Sequence, residues 1–123
     1  RVLGVVLLAS GVLGLIMPLP IADFAGLQVE PNVPNGVVEL GAVYGGIPLA
    51  LGAIALYATL SLGSSAGPML AAVGFVFVGA AAGRLIVAFT AGMPTLGGWM
   101  FFAFEVVAAV VFLIGSTALD SEI

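Results

Sequence analysis

The chain has 123 residues, 63% of them hydrophobic and 7% charged, with a mean hydropathy of +1.36. A soluble domain carries about 25% charged residues, so this composition cannot cover a water-facing surface. Six acids against two arginines give a formal net charge of −4, and Cys and His are both absent. Those counts exclude a disulfide framework, a thiol nucleophile, a zinc site of the usual N/S type and imidazole ligation of haem. Without a basic patch, nucleic-acid binding has no electrostatic basis. No cofactor is expected, and the expected partners are the lipid bilayer and other membrane-protein subunits.

A bilayer-spanning helix needs about 20 mostly apolar residues, and four such stretches follow one another here. The first runs from residue 2 to about 22 and ends in Met17-Pro18-Leu19-Pro20, where the prolines stop helix propagation. Arg1 could serve as the n-region of a signal peptide, but a full-length apolar run followed by three more favours a true span. Residues 23–35 form the longest polar connection, with Glu30, Pro31, Asn32 and Pro34, and Asn35 is the expected N-cap of span two, about 36–60. The turn over 61–67 leads to Pro68, a good first-turn residue for span three, about 68–90. That span stops at Ala91-Gly92-Met93-Pro94. Thr95 can cap span four, about 97–119, and the tail Asp120-Ser121-Glu122-Ile123 is polar.

The expected fold is therefore a single-domain, all-α integral membrane protein: four transmembrane helices in an antiparallel bundle, both termini on one side. Arg1 is the only basic residue outside a span, and the positive-inside rule puts its side in the cytoplasm. Trp99 and Tyr57, near opposite ends, suit the aromatic belts. Gly41, Gly45 and Gly52, with Pro48, form one stripe on span two; Gly79 and Gly83 sit on span three. Small-xxx-small spacing lets helix backbones approach in a bilayer. Packing inside the bundle is the plain reading of these glycines, and a groove for a partner subunit or lipid is the other.

Arg84 is the only cation between residues 2 and 123. An intramembrane charge costs about 2.5–3.5 kcal/mol on insertion scales and calls for a partner. Helical rise places Arg84 roughly 10 Å from its end of span three, and Glu105 roughly 12 Å into span four. Tyr44 reaches a similar level; Glu39 is shallower but within an arginine's snorkelling reach. The depths match best for an Arg84–Glu105 pair, held by two charge-assisted hydrogen bonds. Glu105 shares a face with Ala108, Ala109, Phe112 and Ser116, which suits an inward stripe. The cluster reads either as a static clasp fixing helix register or as a solute or proton site. Glu39 could equally complement the dipole of its own helix in interfacial water, and Tyr44 could be a locally satisfied core aromatic. If both glutamates face Arg84, one negative charge is in excess, and a bound proton would cancel it.

These residues carry a resemblance. Glu39-Leu40-Gly41-Ala42-Val43-Tyr44-Gly45-Gly46, then Gly83-Arg84 and Glu105, resemble the bacterial four-span membrane proteins of domain-of-unknown-function family 4345. The family pattern usually has an arginine where Gly41 stands and Asp-Gly where Ala91-Gly92 stands, so this chain departs from it by one basic and one acidic residue. The resemblance implies a four-helix integral membrane fold with no assigned activity, and it supports the Tyr44, Arg84 and Glu105 group.

Three functions fit unequally. A non-catalytic accessory or structural subunit of a larger membrane complex suits the scarcity of loops and of reactive side chains. An oligomeric small-solute or proton-coupled transporter using Arg84 and Glu105 is the alternative. An enzyme is not expected, because a Glu/Tyr/Arg set could at most do acid–base work on a lipid.

Overall fold

In the computed structural model, residues 1–61 and 65–120 are described, and all regular structure among them is helical. The helices are α1 (Val2–Ile16), α2 (Pro18–Ala25), α3 (Pro34–Gly41), a π-helical turn (Ala42–Gly46), α4 (Ile47–Ser61), α5 (Ala66–Ala91) and α6 (Leu96–Asp120). The middle of the 61–67 turn and the tail beyond Asp120 lie outside the described residues. Three helical stretches are long and apolar enough to cross a membrane: Pro34–Ser61, Ala66–Ala91 and Leu96–Leu119; α1 and α2 together would make a fourth if counted as one span. The chain divides into two compact units, Arg1–Ala53 and Ile54–Ile123, with the boundary inside α4.

In the first unit, α1 and the π turn with early α4 run antiparallel at backbone contact. A methyl group added at Gly11 would lie 2.6 Å from the Leu49 amide nitrogen, and one at Gly52 2.7 Å from the Gly4 carbonyl. Gly14 packs on the Tyr44 carbonyl in the same way, and Gly45 on Leu15. Each step forward along α1 therefore meets a step back along its partner. Leu7, Ala22 and Leu40 are the buried hydrophobic residues described in this unit.

Two prolines shape this unit differently from the sequence expectation. Span one is not straight: α1 ends at Ile16, and α2 leaves it at a 108° bend. Pro18 removes the amide that would continue α1, yet its fixed φ also starts α2 at the first helical position. Span two starts at Pro34, after Val33, so Asn35 lies inside the first turn and is not the N-cap. A proline at N1 sacrifices a donor that has no intrahelical partner anyway. Farther on, Pro48 lacks the amide that should bond the Tyr44 carbonyl four residues back. The helix slips register just before it, and the Ile47 amide donates to the Ala42 carbonyl, five residues back.

In the second unit, α5 and α6 form a long antiparallel hairpin. Ala66, Leu70, Val73, Phe77 and Ala81 recur at three- and four-residue steps and are all buried. Facing them, Glu105, Ala108, Ala109, Phe112 and Ser116 form the buried stripe of α6. Phe77 stacks on Phe112 (centroids 6.1 Å apart) and meets the Phe104 ring edge-on at 6.0 Å. Gly74 lets Leu113 come within 2.8 Å of where a Cβ would stand. Gly92, at φ 110°, ends α5 in a conformation suited to glycine. Thr95 Oγ1 accepts from the Gly98 amide at 3.4 Å, a long capping bond at the start of α6.

The glycines expected to pack helices divide sharply. Gly45 and Gly52 stand at close backbone contact, whereas Gly41, Gly79 and Gly83 have no described atom within 4 Å of a Cβ position. Gly45 and Gly52 thus pack within the first unit, as the bundle reading has it, while the partner-or-lipid reading is the one left to Gly41, Gly79 and Gly83.

Candidate functional site

The hairpin fixes the level of the two charges. Arg84 stands seven residues before the end of α5 and Glu105 nine residues into α6, depths of roughly 10 and 14 Å. Glu105 falls on the buried stripe of α6, and Arg84, half-buried, stands three residues beyond Ala81 on α5, so the side chains meet across the seam. Arg84 Nε donates to Glu105 Oε1 at 2.9 Å and Nη2 donates to the same oxygen at 2.6 Å. The Glu105 residue is 5% exposed, while the Arg84 side chain is 29% exposed. The guanidinium also lies over the Phe101 ring, 5.8 Å from its centroid, a cation–π contact from the neighbouring turn of α6.

This is a closed ion pair with one loose end. Two donors converge on one carboxylate oxygen, and Glu105 Oε2 is buried without a hydrogen-bond partner among the described residues. A buried acceptor left in that state costs about 1–3 kcal/mol. Other polar side chains near the hairpin are spoken for locally: Ser116 donates to the Leu113 carbonyl at 2.6 Å, and Thr90 and Thr117 also bond back to their own helices. Beside the pair, α5 and the turn after it line an open cavity of about 440 Å³, with Arg84 as its one charged group among the described residues. Gly83, Val87, Ala88 and Pro94 provide much of the remaining, apolar lining.

The structure thus brings together Arg84 and Glu105. Glu39 and Tyr44 belong to the first unit: Glu39 is exposed on α3, and Tyr44 is half-buried within the π turn. Three features were not read from the sequence. Gly11 and Gly14 on α1 are the counterparts of Gly45, and their three-residue spacing was a usable signal. Pro48, four residues after Tyr44, was a usable signal for the π turn. Phe101, four residues before Glu105, was the signal for the aromatic neighbour of Arg84.

Among the described residues, three apolar helices of spanning length, or four spans if the bent pair counts as one, and a part-buried charge pair between the last two helices define a class of small helical proteins suited to a membrane. The family model described as "Domain of unknown function (DUF4345)" matches residues 1–116, and the chain belongs to that family. No curated protein and no solved structure matches the chain.

Proposed function

We propose that this chain is a small integral membrane protein of a bacterial inner membrane, with four spans in one antiparallel domain and both termini in the cytoplasm. It works as a non-catalytic structural subunit of a larger membrane complex. The observation that carries this reading is a bare strip on α5. Gly79 and Gly83, four residues apart, meet no described atom, while Gly74 on the same helix is packed hard on Leu113. Close small-residue approach is how membrane helices associate, and here one such strip is used inside the chain and another is left for a helix from outside. The Arg84–Glu105 pair supports it by bracing the hairpin that presents the strip. Mild-detergent purification from native membranes tests the reading. A partner at fixed stoichiometry, lost in Gly83→Ile with the fold intact, is the expected result; a wild-type protein that purifies alone contradicts it.

A second reading has its own observation. The cavity reaching Arg84, together with Glu105 Oε2, which has no partner among the described residues, suits an oligomeric transporter for a small solute or proton. Flux in proteoliposomes that survives Arg84→Ala and Glu105→Gln would eliminate it.

A further inference from the structure

We propose that α2 lies flat in the membrane–water interface as a lipid-contacting foot, leaving α1 alone, 15 residues and roughly 22 Å long, as a short first span that the bilayer meets by local thinning; this rests on the membrane reading above. The bend decides the geometry. At about 1.5 Å per residue, α2 is roughly 12 Å long, and a 108° change of direction leaves it pointing slightly back along α1. With α1 along the bilayer normal, α2 adds no depth and returns by roughly 4 Å. Tilting α1 by about 20°, a common value for membrane helices, leaves α2 level or returning.

Local structure holds α2 in that attitude. The Met17 amide still donates to the Leu13 carbonyl at 2.7 Å, closing α1 before the turn. At the other end Gly26, at φ 77°, caps α2, and the Leu27 amide reaches back to the Ala22 carbonyl at 2.8 Å. The underside packs on α1, α3 and the π turn, with Ala22 fully buried. The outer side presents Pro20, Asp23 and Phe24, the last 51% exposed, and Leu27 follows at 40%. Asp23 and Phe24 diverge by about 100° around the helix, so one can face water while the other enters the acyl boundary. Phe is a usual member of the apolar face of interfacial helices.

The kind of lipid surface follows from charge. Residues 2–53 contain no Lys or Arg, and Asp23, Glu30 and Glu39 are all exposed. Interfacial helices that seek anionic lipid carry a basic polar face; this one does not. Its contact is with zwitterionic headgroups and upper acyl chains, held by apolar burial alone.

The absence of cysteine makes single-cysteine spin labelling direct. Labels at Pro20→Cys and Phe24→Cys, one turn apart on the outer side, are compared with Val6→Cys and Val107→Cys at exposed positions inside α1 and α6. Depth is read from oxygen and nickel-chelate accessibility in phosphatidylcholine vesicles, with and without added phosphatidylglycerol. The expected result is that Val6, roughly 16 Å along α1 from Met17, and Val107 lie deep while positions 20 and 24 sit at headgroup level. Position 24 lies roughly 2 Å nearer the bilayer centre than position 20, and phosphatidylglycerol leaves both unmoved or shallower. An outward step of roughly 6 Å from 20 to 24, the value for a straight span, overturns the proposal. So do both labels at the depth of Val6, both fully in water, or a shift deeper with phosphatidylglycerol. Water-accessible labels at Val6 and Val107 would instead overturn the membrane reading itself.

Discussion

Arg84 shows how one residue's chemistry constrains its neighbours. A guanidinium that must stay charged accepts a low-dielectric position only against an anion, and Nε with Nη2 forms a rigid edge that grips Glu105 Oε1. Lysine offers a single point of charge on a flexible stem and cannot reproduce that edge. Arg84→Lys is accordingly predicted to lose about 1.5–3 kcal/mol, the worth of a hydrogen bond to a charged group, in unfolding titrations in detergent. Glu105→Gln removes the anion while leaving a similar shape. It is predicted to cost more, about 3–5 kcal/mol, because the cation is stranded. Equal effects of the two substitutions would mean that shape, and not charge, holds the pair.

Between elements, glycines that look alike in sequence do different work. Gly11 and Gly52 stand where a methyl would strike backbone, so Gly11→Ala and Gly52→Ala must push α1 from its partner. Overpacking of this kind costs about 1–3 kcal/mol. Gly79→Ala and Gly83→Ala meet open space and relieve the entropy of a mid-helix glycine, so they are predicted to leave stability unchanged or raise it by up to about 1 kcal/mol. Unfolding titration of the four variants checks both halves. The sequence could not separate the two sets, because small-xxx-small spacing states that a helix can come close and not whether one does. The prolines were ambiguous for a related reason. Pro18 reads as a stop when viewed from α1 and as a start when viewed from α2, and only the 108° bend shows that it is both. The ends of α5 and α6 were legible within two residues, since Gly92, Pro94 and Thr95 act locally on the backbone.

Across the whole molecule, the candidate site was legible to the extent that charge is scarce. With a single arginine inside the apolar sequence and matched depths on adjacent antiparallel helices, Glu105 was the favoured partner by elimination and rise per residue. The single-oxygen grip, the Phe101 ring over the guanidinium and the orphaned Oε2 depend on side-chain angles that no spacing encodes. The account's central claim is that Arg84 and Glu105 clasp α5 to α6. A double-mutant cycle tests it most directly, with Arg84→Met, Glu105→Met and the pair combined, each measured by unfolding titration in the same detergent. The clasp predicts single losses of about 3–5 kcal/mol and a double variant that recovers most of the loss, since an apolar pair leaves no stranded charge. Singles that leave stability unchanged, or a double variant whose loss equals the two singles together, would contradict it.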